Sequence, residues 1–167
     1  RRSSDLRNLL LQMGLKRKPD FILSIDGDEI FMPNAAEILF EELEVIYSST
    51  NVFEFQFLTC WDTIEQIRFD GIFGNYWQKR LLRTKNQPSY LKFNDTSNPG
   101  NLHCGSIPKN ADGFENSIKS NLKIFHMASI DKTLRKQKYD YYTKLDGDSV
   151  LTDGYKHMIS GEGKFSG

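Results

Sequence analysis

The chain has 167 residues with 22 basic and 22 acidic side chains, so it carries no net charge at neutral pH, and its mean hydropathy is −0.53. That length suits one domain with a real core, while the even charge gives no support to a nucleic-acid partner or an anionic membrane surface. Two cysteines, Cys60 and Cys104, have neither paired-metal spacing nor the makings of a disulfide framework, which predicts a reducing, cytoplasmic setting. No apolar run approaches the roughly 20 residues of a membrane helix.

In chain order, Ser3 or Ser4 can cap a first helix whose apolar stripe is Leu6, Leu9, Leu10 and Met13, with Gly14 as its stop. A basic link, Lys16-Arg17-Lys18, leads into Phe21-Ile22-Leu23-Ser24-Ile25, which reads as a short buried strand. It runs straight into Asp26-Gly27-Asp28-Glu29. Carboxylates so crowded repel unless a cation or a ring of donors holds them. On a continuing strand Asp26 and Asp28 would share a face, and Gly27 between them would let the backbone turn or a ligand approach. Such oxygen ligands suit a hard divalent ion, Mg²⁺ or Mn²⁺; the same residues also suit a solvated acidic turn.

Pro33 and Asn34 then open a helix, Asn34 and Glu37 having capping-box spacing, with Ile38, Leu39, Leu43 and Ile46 on its apolar face and its end near Ser48-Ser49. Asn51 to Trp61 alternates as a second strand. Ile64 to Phe69, Trp77 to Arg83 and Tyr90 to Phe93 read as further short strands. Asn94 to Asn101 is turn-rich, and Lys109 to Ser120 is expected to be a mobile loop. Leu122 to Met127 is an apolar strand bearing His126; Ser129 to Tyr142 reads as a helix, and the residues from about 160 to 167 as a frayed tail.

Taken in order, these features resemble the family 2 glycosyltransferases of the GT-A fold. In that family a helix with Arg-Asn, here Arg7-Asn8, precedes a strand ending in Asp-x-Asp, here Asp26-Gly27-Asp28, often followed by Glu. Arg80-Leu81-Leu82-Arg83 is similar to the family's Arg-Leu-Phe-Arg strand, and His126 to the histidine closing a later strand, followed by a helix with Lys136 or Lys138. The resemblance covers roughly residues 5 to 145. It implies an α/β fold with a mixed central sheet and flanking helices, and metal-dependent, inverting transfer of a sugar from a nucleotide-sugar donor, UDP- or GDP-linked, to a carbohydrate or other hydroxyl acceptor. By the same resemblance Asp26, Asp28 and His126 hold Mn²⁺ or Mg²⁺, and Arg7, Arg80 and Arg83 join Asp26 and Asp28 at the donor's diphosphate. A bare reading of His126 is a strand-end histidine bonded to a nearby carbonyl, and of Arg80 and Arg83 an edge strand charged against pairing.

An inverting transfer also needs a base for the acceptor hydroxyl. Relatives often place Glu after a His at the point of His103-Cys104; with Cys104 there, Asp70 is the first substitute, then Asp62 and Glu65. Trp61, Tyr76 and Trp77 could stack on sugar faces or simply pack. The family's opening strand–helix–strand, which holds the nucleoside, has no counterpart, so residues 1–167 are expected to form a single domain that is the C-terminal portion of a catalytic domain. Two rival readings stand beside this one. The first is a haloacid-dehalogenase-type phosphohydrolase, with Asp26 as nucleophile and Gly147-Asp148 and Asp153 as its late acidic motif. The second is a non-catalytic carbohydrate- or partner-binding remnant. A calcium loop counted from Asp26 fails because Phe31 stands where glycine is required.

Overall fold

The computed structural model describes residues 3–46, 49–93, 105–146, 155–160 and 164–166. Helices α1 (Ser3–Leu15), α2 (Ala35–Glu41) and α3 (Lys132–Asp146) accompany strands β1 (Phe21–Leu23), β2 (Glu29–Phe31), β3 (Val52–Trp61), β4 (Ile67–Arg68), β5 (Trp77–Arg83), β6 (Ile118–Ser129) and β7 (Phe165–Ser166). The class is α/β, a mixed sheet with a few helices. Among the described residues no helix is long and apolar enough to cross a membrane. The chain divides into two compact units. One is built from Arg1–Asp26, Pro33–Gln56 and Trp77–Lys123, the other from Gly27–Met32, Phe57–Tyr76 and Ile124–Gly167.

In the first unit β5 lies between β1 and β3 and pairs antiparallel with both. The alternation of β3 does what it predicts: Phe53 and Phe55 are fully buried, as is Val52 at the start of the strand. They belong with Leu81 and Leu82 of β5, also buried, and a core cluster gathers Leu11, Val52, Leu82, Leu91, Phe93, Ile107 and Ala111. The β3–β5 register passes from Phe53↔Leu81 to Glu54↔Lys79 and so skips Arg80. That is a bulge, the device by which a strand re-aims one side chain.

Several expectations are corrected here. The α1 helix forms, but Leu6, Leu9, Leu10 and Met13 are about half exposed, whereas Ser4 and Leu11 are buried. Spacing identified an apolar stripe, but the inward face is chosen by polar anchors. Asn8 accepts from the Phe93 amide (2.8 Å) and donates to its carbonyl (3.2 Å), and Gln12 donates to the Leu91 carbonyl (3.3 Å). Those bonds also explain why Tyr90 to Phe93 is not a strand. Its backbone is satisfied by side chains, with Asn110 donating to the Tyr90 carbonyl (2.6 Å) and accepting from the Lys92 amide (3.2 Å). The helix does not stop at Gly14; the left-handed residue is Lys18, with φ 52°.

The β1 strand is half-buried rather than buried, because its pairing runs to β5 alone. It ends at Leu23, so Asp26 and Asp28 do not continue it: Asp26 precedes a turn and Asp28 lies in it. Asn34 is left-handed (φ 62°) and makes no side-chain cap to α2, so the capping box does not form. The helix passes into a π-helical turn, Glu42–Ile46, at which the buried Glu42 accepts from the Ser120 hydroxyl and the Asn121 amide. The predicted mobile loop, Lys109 to Ser120, is pinned: Asn110 bonds as above, Ala111 is buried, Asp112 bonds Asn51 and Gln87, and β6 already begins at Ile118.

In the second unit β4 lies between β3 and β7, and β2 pairs antiparallel with β6. Phe165 and Ser166, within the Gly/Ser/Lys tail, pair with Arg68 and Ile67. Trp61 is buried, with the guanidinium carbons of Arg68 and Arg135 each 4.2 Å from its ring centre. Arg68 binds both oxygens of Asp70 (2.6 and 3.0 Å), the His157 carbonyl (2.6 Å) and the Ser160 hydroxyl (3.1 Å). Arg135 binds Asp62 (2.6 Å) and the Ser129 carbonyl.

The contrast between β3 and α1 is measurable. Phe55→Ala, at a fully buried position, should cost about 3–5 kcal/mol in urea unfolding, whereas Leu10→Ala should stay within about 0.5 kcal/mol. Equal losses would mean that the face of α1 is misassigned.

Candidate functional site

The acidic turn distributes its carboxylates between two different environments. In the first unit, Asp26 accepts from Arg7 (2.8 Å) and Arg80 (3.3 Å). Ser106 accepts from both guanidinium groups. Arg80 is buried, whereas the Asp26 side chain keeps 40% exposure. Arg7 reaches the site from the middle of α1, and Arg80 reaches it from the bulge in β5. Arg83, three residues on, donates to the Thr50 carbonyl (2.9 Å) and lies 4.5 Å from the Phe21 ring centre.

In the second unit the pairing of β2 with β6 sets Glu29 directly opposite His126. Directly opposed residues of an antiparallel pair project to the same face. The Met127 amide donates to the Asp28 carbonyl (2.8 Å), which extends this register by one bond, and Asp28 Oδ2 stands 3.8 Å from His126 Nε2. Phe57 packs against the imidazole at a ring separation of 5.5 Å and is itself met edge-on by Tyr76 at 5.4 Å.

One ligand atom from each of Asp28, Glu29 and His126 lies within 4.8 Å of the others. A small divalent ion, bound at about 2.1 Å, spaces its ligand atoms about 3 to about 4.2 Å apart, so modest side-chain rotations would close the three on a cation. Two carboxylates and one imidazole suit Mn²⁺ somewhat better than Mg²⁺, which prefers an all-oxygen shell. The group contains two of the three expected ligands, Asp28 and His126. Glu29 takes the third place, while Asp26 is engaged by its arginines. The charge of Asp28 reaches α3: the Tyr142 phenol is pushed up by burial first, then by Tyr141 and Asp28.

Gly27 has open space around it and no left-handed φ, so neither packing nor backbone demands a glycine there. Of the carboxylates weighed as base, Asp70 is held by Arg68, whose hydrogen bonds keep its carboxyl below the ordinary range despite partial burial; so held, it is a weak base. Asp62, left-handed at φ 59°, is held by Arg135 (2.6 Å), and Glu65 has no ion pair among the described residues. Trp61 is packed between arginines rather than open for stacking, and Trp77 lies 4.7 Å from the Lys119 ammonium. His103, Cys104, Gly147, Asp148, Asp153 and the turn Asn94 to Asn101 lie outside the described residues.

The chain matches no protein-family model, no curated protein and no solved structure.

The Arg68–Asp70 pair has a pH signature. A carboxyl lowered by folding stabilises the fold fully above its unfolded value, and that contribution fades as pH falls through the lowered one. The unfolding midpoint of the wild type should therefore fall more steeply below the ordinary carboxylate range than that of Asp70→Asn, the curves running parallel above it. Parallel curves throughout would show that the pair adds nothing.

Proposed function

We propose that this chain serves a metal-dependent glycosyltransferase activity, with a GT-A-like arrangement, that uses a nucleotide-sugar donor. The observation that carries the reading is the meeting of Asp28, Glu29 and His126 across the β2–β6 pair. It favours a transferase over a phosphohydrolase because Asp26, which would have to act as nucleophile, already accepts from two guanidinium groups.

In this reading Asp28, Glu29 and His126 hold Mn²⁺ or Mg²⁺. The cation, when bound, supplies the positive charge that offsets the growing negative charge of a diphosphate leaving group. The residues' own part is positional. Glu29 and His126 are held by strand register, and the imidazole is set by the Phe57 ring beside it. Asp28 Oδ2 stands 3.8 Å from Nε2, near enough for both to reach one cation. Arg7 and Arg80, in the first unit, hold Asp26. A sugar donor and a hydroxyl acceptor are the substrates this chemistry requires.

The test is Mn²⁺ binding followed by water-proton relaxation or calorimetry, with and without UDP or GDP. Mn²⁺ should bind the chain, and more tightly when the nucleoside diphosphate is present. Asp28→Ala and His126→Ala should each weaken Mn²⁺ by about tenfold or more and remove the coupling. Binding of Mn²⁺ without coupling would point instead to a non-catalytic remnant, and no binding at all would end the metal reading.

A further inference from the structure

A groove in the second unit, away from the Asp28–Glu29–His126 group in the residues that form it, is lined by Lys132, Thr133, Lys136, Gln137 and Asp140 of α3 and by Met158 and Ile159, with Arg135 at its base. Its volume is about 440 Å³, within the roughly 300–1,000 Å³ range of small-molecule sites.

The groove follows from helix geometry. Lys132, Lys136 and Asp140 recur every four residues, and Thr133 with Gln137 lies beside them, so one helical face forms a wall. Met158 and Ile159 supply the apolar surface opposite, and Ile159 is 48% exposed.

Of the cations here, one is fixed and two are free to reach a ligand. Arg135 is buried, held over Trp61 and bonded to Asp62 and to the Ser129 carbonyl; its Nε, also buried, has no hydrogen-bond partner. Lys136 pairs with Asp140 at 3.0 Å on an exposed surface, a weak tie, and Lys132 has no ion pair among the described residues. The N-terminus of α3 is already closed by Asp131, whose side chain accepts from the amides of Thr133 (2.7 Å) and Leu134 (3.0 Å). Recognition therefore falls to the lysine side chains. Their butyl stems add apolar wall below the ammonium groups, a surface that is oily within and cationic at its rim.

We propose that this groove binds a small amphipathic anion, a short acyl or aryl chain ending in a carboxylate or phosphate. The chain lies on Met158 and Ile159 and the anionic end on Lys132 and Lys136. This site is independent of the metal reading.

The test uses the full chain with ¹³C-labelled methionine and isoleucine methyl groups, without divalent cation. Octanoate and octyl phosphate are titrated separately, with octanol as the neutral control. Both anions should shift the Met158 and Ile159 methyl signals saturably, the tighter one identifying the end group, with octanol about tenfold weaker. Lys132→Glu combined with Lys136→Glu, both exposed positions that leave the core untouched, should bring the anions down to the level of octanol, and Ile159→Asp should abolish all three shifts. Leu134→Asp, on the same helix but outside the groove, should change nothing. The proposal is overturned by octanol binding as tightly as the anions, by undiminished binding in the double lysine variant, or by shifts confined to Met13 on the exposed face of α1.

Discussion

Three carboxylates within four residues, Asp26, Asp28 and Glu29, repel one another, and the fold has to compensate each. It does so by sending them to different partners. Asp26 receives two guanidinium groups, one from the middle of a helix and one from a strand bulge. Asp28 and Glu29 instead face a single imidazole. Two carboxylates and one imidazole within reach of one another form a donor set that suits a cation.

The parts of the fold legible in the sequence are those where burial and periodicity agree. β3 and β5 are read correctly because Phe53, Phe55 and Phe57 alternate with Glu54 and Gln56 and because β5 mixes basic and apolar side chains. The orientation of α1 is not legible, since its apolar stripe competes with Asn8 and Gln12, whose amides reach backbone groups more than 75 residues away in the chain. Periodicity ranks a helix face by oiliness; it cannot see that a distant segment such as Tyr90 to Phe93 needs side-chain partners for its backbone. The same blindness made that segment a strand and Lys109 to Ser120 a loose loop.

The candidate site divides in the same way. Asp28 and His126 were accessible from motif order, but Glu29 becomes a partner only through the β2–β6 register, and β2 is three residues long with one exposed apolar side chain, Ile30. Arg80 and Arg83 share a motif, yet three positions along a strand place side chains on opposite faces before the bulge is considered. That parity was available in the sequence and argued against giving both one role. Ser106, which ties Arg7 to Arg80, carried no signal of its own.

The second unit organises its late segments around cations placed on an aromatic ring. Arg68 and Arg135 come from different elements, each lies close to Trp61, and each takes a carboxylate, Asp70 or Asp62. A buried arginine without such partners would be a large penalty; with an aromatic face and a carboxylate it becomes a fixed joint. Through Arg68 the joint holds the turn around His157 and Ser160, and through Arg135 the first turns of α3. Those are the two walls of the groove that contains Met158 and Ile159. Its walls are therefore set by interactions made behind it, which leaves Lys132 and Ile159 with little structural duty and Lys136 with a surface pair to Asp140. Side chains relieved of that duty can vary to suit a ligand without cost to the fold, which is why substitutions on this face can separate binding from stability.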